Sequence, residues 1–423
     1  MLISFTAENA YSFKDEQTLD MRATTVKAHN YSLLKAGTKK LLPVTAVYGA
    51  NASGKSNLLR ALEVVFSLIA GSEMVIPVSP FAMGHTAEGV GPSRLTLHFF
   101  IDIDGQRSEC FYHLFFASRC IGEALTCVFP GKRKASSIFM RGWNNETEKW
   151  EIQSDIKSTH KDIYTEVYYV HEMETKREAL LLKALGKRAR FPLFEHIQKW
   201  AEKVVLYHEV NLRFISPIIK ESDELVPILE SDGRREELVS FIHMLNPLIR
   251  DISVLRDSDW VRRSKEKHVQ LYFDYDSAGG QDTGRNTMIS AFESRGVWTA
   301  LRLYPRIDDV LRNGGLLIVD ELENSLHPLL MAKIINMFTD PDVNTGRGQL
   351  IFTTHNALLM DKKYFRQDEI AFVEKDPEDG SSSLYRLSDV EGVRSDLDFC
   401  KNYILGAFGA LPDLSGGPKG AAK

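Results

Sequence analysis

The stretch Gly49-Ala50-Asn51-Ala52-Ser53-Gly54-Lys55-Ser56 fits G-x-x-x-x-G-K-[ST], and its flanks give the pattern physical meaning. Before it runs Val44-Thr45-Ala46-Val47-Tyr48, short, apolar and rich in β-formers. After it, Leu58, Leu59, Leu62, Val65, Phe66 and Ile69 recur at helical spacing. A strand, a glycine loop and a helix N-terminus make a phosphate cradle, because the first N–H groups of the helix and its dipole face the anion. In such a cradle Lys55 reaches the β- and γ-phosphates of a nucleotide, and the Ser56 hydroxyl binds Mg²⁺. The expected nucleotide contacts are Gly49, Asn51, Ala52, Ser53, Gly54, Lys55, Ser56 and Asn57. A purely structural glycine turn would not account for strand, loop and helix falling together.

A second stretch lies far along the chain, where Leu316-Leu317-Ile318-Val319 runs into Asp320-Glu321. Four aliphatic residues imply a buried strand that delivers a carboxylate at its C-terminal end, where ligands bind in open α/β sheets. Asp320 suits the water shell of Mg²⁺, and Glu321 suits orienting or deprotonating an attacking water. Taken alone, the two acids could simply close a strand at a turn; beside the phosphate loop they read as its partners. A further buried strand, Leu350-Ile351-Phe352-Thr353-Thr354, ends in His355.

Charge and cysteine usage narrow the class. A net charge of −5 over 423 residues argues against a chain that coats nucleic acid with its whole surface, though a local basic patch remains open. Cys110, Cys120, Cys127 and Cys400 form no C-x-x-C pair, which weakens zinc and redox readings and fits a reducing compartment. There is no run of 18 apolar residues, and Met1 to Phe13 is too polar for a signal peptide, so a cytoplasmic protein without membrane partners is expected.

The chain divides into three expected parts: residues 1–155, 156–265 and 266–423. The first holds an opening strand, a turn at Asn9 to Phe13, the phosphate loop and a β-rich lobe with hairpins around Asp102–Gly105 and between Ser137–Phe139 and Lys149–Ile152. Tyr11 or Phe13 could stack on adenine, but both suit a core. The second reads as a helical insertion, either an arm or an assembly surface. Its run from Lys176 to Arg190 carries six basic residues (Lys176, Arg177, Lys183, Lys187, Arg188, Arg190) against Glu178, which is either a phosphate-contacting face or a solvated helix side. The third opens with a strand at 268–274 and a loop at Gly279, Gly280 and Gly284. A helix follows from Phe292-Glu293-Ser294-Arg295-Gly296 that Pro305 should kink or restart, and a hairpin around Asp376–Gly380 comes after His355.

Phosphate loop, Asp320-Glu321 and His355 stand in the order and strand context of ABC-type ATPase heads, which include the structural-maintenance-of-chromosomes (SMC) proteins and the OLD-family ATPases. The chain more closely resembles the short "AAA family" ATPases of bacterial phage defence, of the RloA-like, PARIS and Septu kinds. The resemblance rests on Asn9–Phe13, Gly49–Ser56, Glu293–Gly296, Asp320-Glu321-Leu322-Glu323-Asn324-Ser325-Leu326-His327-Pro328 and Gly406–Pro412, and covers both ends of the chain. It implies an α/β ABC-type head with the β-rich lobe and helical insertion between phosphate loop and Asp320, and ATP with Mg²⁺ as its ligands. In that scheme Lys55, Glu321 and His355 are catalytic, Ser56 and Asp320 hold the metal, and His355 contacts the γ-phosphate. Ser294 and Gly296 form a reduced signature that caps the γ-phosphate of an opposite subunit, and Asn324 to His327 is the D-loop. It further implies a homodimer or higher oligomer and a separate effector, a nuclease or toxin; a DNA-repair or chromosome-associated ATPase touching nucleic acid is the alternative.

The chain departs from that scheme in its signature, Ser-Arg-Gly followed by Val297, and in His327, where transporters carry aspartate. No Q-loop glutamine is assigned: Gln106 falls in a turn and Gln349 precedes the histidine strand. Two nuclease patterns are set aside. Arg190…His196 and Arg263…His268 match HEPN spacing loosely, in a chain with 12 histidines. Glu374, Asp376 and Asp379 resemble a Toprim cluster but fit a turn better.

Overall fold

The computed structural model describes residues 1–71, 78–81, 91–117, 119–174, 176, 180–207, 218–256, 267–275, 286–289, 293–394 and 397–412. β1 (Leu2–Glu8) pairs with β2 (Gln17–Asp20) across the Asn9–Phe13 turn, where Asn9 and Tyr11 both take positive φ. The hairpin of β3 (Leu34–Ala36) and β4 (Lys39–Leu41) leads to β5 (Val44–Tyr48), five buried residues in succession, and on to α1 (Lys55–Ala70). All six apolar residues expected on the inner face of α1 are buried. The β-rich lobe is the antiparallel meander β6 (Ser93–Ile103), β7 (Gln106–Ala117), β8 (Arg119–Val128), β9 (Ser136–Asn144) and β10 (Lys149–Gln153). β1 and β2 extend it to seven strands, in the order β10-β9-β8-β7-β6-β1-β2.

Next come α2 (Lys161–Met173), α3 (Leu181–Arg188) and α4 (Pro192–Glu202). α4 packs between lobe and phosphate-loop helix: Trp200 stacks on Phe99 with ring centroids 4.7 Å apart and meets Phe66 edge-on. The chain then enters β11 (Val204–Tyr207) and an accessory unit of β12 (Ile218–Lys220), α5 (Val226–Leu229), α6 (Asp232–His243), β13 (Ile249–Leu255), β14 (His268–Tyr275) and β15 (Asn286–Ile289). β14 pairs with β12, β13 and β15. Among its described residues the span 156–265, expected to be helical, therefore contains three strands beside its helices. Val204-Val205-Leu206-Tyr207 and the alternating Ile249 to Leu255 are β-rich runs, and pairing with distant strands decides their state. The glycine loop expected at Gly279–Gly284 lies outside the described residues.

The last part contains α7 (Arg295–Asn313), β16 (Leu316–Val319), α8 (Pro328–Thr339), β17 (Gln349–Thr353), β18 (Ile370–Lys375), β19 (Ser382–Arg386) and α9 (Phe399–Ile404). Of the kink or restart expected at Pro305, the restart does not occur: α7 continues through the proline as one helix. The proline removes one backbone donor, but Trp298, Leu301, Tyr304, Ile307 and Val310 are buried along the helix, and the Arg306 guanidinium donates to the Arg302 carbonyl at 2.8 Å. Packing outweighs the lost bond.

These pieces assemble a six-stranded sheet in the order β11-β16-β17-β5-β18-β19, parallel except at β19. Its inner strands are predominantly apolar because both faces are covered. Val47, Leu316, Ile318 and Ile351 face the core shared with α1, α3, α4 and the lobe. Tyr48, Leu317, Val319 and Phe352 face the core shared with α7, α8 and the accessory unit. The fold is thus an α/β P-loop head with a β-rich lobe. Gln349 fastens lobe to sheet: it is fully buried, accepts the Leu2 amide at 2.7 Å and donates to the Leu2 carbonyl at 3.0 Å. Among the described residues no helix is long and apolar enough to cross a membrane.

Candidate nucleotide site

Because β5, β16 and β17 run parallel, the segments that follow them emerge at one edge of the sheet, bringing Gly49–Ser56, Asp320–Glu321 and His355 together. The loop needs its glycines. A Cβ on Gly49 would stand 2.3 Å from the Val373 carbonyl, one on Gly54 would stand 2.3 Å from Ser382 Oγ, and both residues have positive φ. Lys55 is 5% exposed, and its Nζ donates to the Gly49 and Ala50 carbonyls at 3.0 and 2.9 Å, folded back over the loop. Burial lowers its pKa, against the opposing pull of Asp320, Glu321 and Glu323. Ser53 Oγ is buried and has no hydrogen-bond partner among the described residues, as suits a loop shaped for an anion.

Thr353, the last residue of β17, organises the acids. Its Oγ1 donates to Asp320 Oδ1 at 2.6 Å and accepts the Glu321 amide at 2.7 Å. Glu321 takes φ 53°, a left-handed conformation that costs a non-glycine residue about 1–3 kcal/mol, and the bond to Thr353 helps hold it there. Asn324 Nδ2 donates to Glu321 Oε2 at 3.1 Å. The His355 amide donates to Glu323 Oε1, while its ring stays exposed. Residues 51–57, Glu321, His355 and Lys375 line a cleft of 530 Å³. Ser56 and Glu321 are exposed and Asp320 is half-buried; a hydroxyl and a carboxylate are the oxygen donors that Mg²⁺ prefers, so the residues present fit the expected ion.

Ser294 and Gly296 do not line that cleft. Ser294 Oγ caps α7 by accepting the Val297 amide at 3.3 Å, and Gly296 lies against the segment expected to be the D-loop, where a Cβ would come 2.8 Å from the Ser325 carbonyl. His327 Nδ1 caps α8 by accepting the Leu329 amide.

A protein-family model described as "AAA domain, putative AbiEii toxin, Type IV TA system" matches residues 44–164 and 185–361, most of the chain and every residue of this cleft except Lys375. The chain belongs to that AAA-domain family. Its structure is similar to the SMC head domain from Thermotoga maritima over 91% of this chain and 98% of that one, at 13% identity and a TM-score of 0.40. No curated protein matches.

Several features of this AAA-domain chain escaped sequence reasoning. Lys375 reaches the cleft from the end of β18, and only the pairing of β18 with β5 reveals it. Thr353 looked like any strand residue. β11 ends beside Asp320, whose amide donates to the Tyr207 carbonyl at 3.2 Å. The segment that follows β11, residues 208–217, carries no glutamine. Gln349 serves the lobe clamp instead.

Other expectations are accounted for nearby. A larger open cleft of 1380 Å³ flanks the loop on the side of the β18–β19 hairpin and Ala410–Pro412. On its wall Glu374 docks the closing segment, accepting the Ala410 amide at 3.1 Å and the Tyr385 hydroxyl at 3.3 Å. Asp376 caps its own turn, and Asp379 pairs with Lys14 at 2.9 Å. Among the described residues these acids form no cluster able to hold a metal ion. In the basic run, Lys183 donates to the Gly71 carbonyl at the end of α1 and Arg188 pairs with Glu174, whereas Arg177 lies outside the described residues, as does Arg263. Phe13 is fully buried and cannot stack on a base; Tyr11 is half-buried beside the Arg60 guanidinium.

Proposed function

We propose that this chain is an ATP-binding and ATP-hydrolysing head that works in pairs or larger homo-oligomers, as the sensor and scaffold of an anti-phage defence system. In this reading it holds and releases a separate effector, a nuclease or toxin, in the cytoplasm. The supporting observation is a division of the machinery. Lys55, Glu321 and His355 line one open cleft with Asp320 close to Lys55, while Ser294 and Gly296 stand outside it, Gly296 against the Ser325 carbonyl. A cleft lacking its signature is completed by a second head, so ATP joins two heads and hydrolysis parts them.

Residue roles follow from that arrangement. The amides of loop residues 51–57 and the Lys55 ammonium bind the phosphates. Ser56 and Asp320 would hold Mg²⁺, which supplies charge neutralisation at the phosphoryl oxygens. Glu321, oriented by Asn324 and Thr353, takes the proton of the attacking water, and His355 faces the γ-phosphate. The toxin–antitoxin wording attached to the family supports the defence setting.

The test is the native mass of Glu321→Gln protein purified with Mg²⁺-ATP from cells that carry its neighbouring genes. A multiple of the 47.9 kDa chain with a second polypeptide supports the proposal. A bare dimer carrying nucleic acid moves the assignment to DNA repair or chromosome work, and a monomer removes the composite site.

A further inference from the structure

The turn before α7 carries an acidic residue that has no part in the scheme above. Glu293 directly precedes Ser294. Its two carboxylate oxygens accept the Asn246 side-chain amide at 3.2 and 3.3 Å, and one of them also accepts the Tyr275 hydroxyl. Asn246 stands between α6 and β13, and Tyr275 is the last residue of β14, so both donors belong to the accessory unit. Asn246 is itself fixed, its amide donating to the Ile242 carbonyl at 3.1 Å and its Oδ1 accepting the Leu248 amide at 3.1 Å. Burial and the adjoining carboxylate keep the Tyr275 hydroxyl protonated, and so a donor. On the other side of the same turn, Gly296 meets the Ser325 carbonyl with no room for a Cβ. The turn is therefore gripped from two directions, by the accessory unit through Glu293 and by the D-loop through Gly296.

We propose that Glu293 is a positioning residue for hydrolysis: pinned by Asn246 and Tyr275, it fixes the Ser294–Gly296 turn where that turn meets the nucleotide of a second head. This rests on the reading of Ser294 and Gly296 as contacts made across the dimer. A carboxylate suits the task because it accepts from two donors on separate elements at once, tying α7 to the sheet beside it. The D-loop contact adds a consequence. The turn that serves the partner's nucleotide touches the loop that follows the chain's own Asp320 and Glu321, so the two sites of a dimer are joined through one short segment.

The experiment compares full-length wild type, Glu293→Ala, Glu293→Gln, Tyr275→Phe and Ser294→Arg by steady-state hydrolysis and by binding of a fluorescent ATP analogue. A misplacement of ~1 Å can cost about 100-fold in rate. Glu293→Ala is expected to lose about tenfold or more in kcat with nucleotide affinity changed less than about twofold. Tyr275→Phe should lose less, and Glu293→Gln, which still accepts from both donors, should recover most of the rate. Mixing supplies a readout that a merely structural residue would not move. Glu293→Ala protein mixed with Glu321→Gln protein should regain single-turnover phosphate release, because one of the two composite sites then has an intact base and an intact turn.

Normal kcat in Glu293→Ala beside an inactive Ser294→Arg overturns the role of Glu293 alone. Normal turnover in Ser294→Arg overturns the cross-dimer reading beneath it. A loss that Gln does not recover and mixing does not restore, or one accompanied by lost nucleotide binding, makes Glu293 structural and also overturns the proposal.

Discussion

Thr353 Oγ1 lies 2.6 Å from Asp320 Oδ1, and the same oxygen receives the Glu321 amide. One hydroxyl on the histidine strand thus sets both the proposed metal ligand and the backbone of the proposed base. Thr353→Val keeps the shape of a fully buried residue and removes only that oxygen. As an outer partner of a metal ligand, the hydroxyl should be worth about 10- to 100-fold in kcat. Nucleotide binding without Mg²⁺ should hardly change, and steady-state kinetics with and without added metal will separate the two.

Lys55→Ala should abolish nucleotide binding, since it removes the buried ammonium that caps the loop. Glu321→Gln should bind ATP and fail to turn it over, accumulating a closed dimer visible by size-exclusion chromatography with light scattering. Hydrolysis at the normal rate in Glu321→Gln would show that the base lies elsewhere.

Gly49→Ala meets backbone rather than a mobile side chain, with the Val373 carbonyl 2.3 Å from the new methyl. The loop and β18 must separate, so both melting temperature and ATP affinity should fall. Gly37→Ala, with positive φ but open space around it, should cost stability only and leave ATP affinity intact.

Glu369 gives a pH-dependent test remote from catalysis. Burial pushes its carboxyl up to about 8, opposed by the Arg366 amide that it accepts. The folded state therefore retains a proton there that the unfolded chain gives up near 4.5. Its contribution to stability is complete below that value and is lost as the pH climbs towards 8. Glu369→Gln should thus raise the melting temperature relative to wild type at pH 9, with the difference shrinking towards pH 5. A difference that does not vary with pH would contradict the assignment.

The parts of the site legible in the sequence are those whose physics is local. Gly49–Ser56 needs only its own glycines and the strand and helix beside it, and Leu316–Val319 declares a strand covered on both faces by composition alone. β11 was missed because Val204–Tyr207 is short and becomes a strand only through its pairing with Leu316–Val319. Thr353 and Lys375 were missed for a related reason: each reaches the site through strand pairing with residues far away in sequence, and neither has a side chain that is unusual for its place. Pro305 shows the opposite case, since the restart that a strong local rule offers does not occur in a well-packed helix.

The order of strands in the central sheet also bears on synthesis. β5, which carries the phosphate loop, is flanked by β17 and β18, and both leave the ribosome long after it does. A nascent chain that stops before Gln349 has no neighbour for either side of β5 and lacks the side chain that ties Leu2 to the sheet. Products that stop before β17 would therefore lack a formed ATP pocket, because β5 and its loop would have no sheet to sit in.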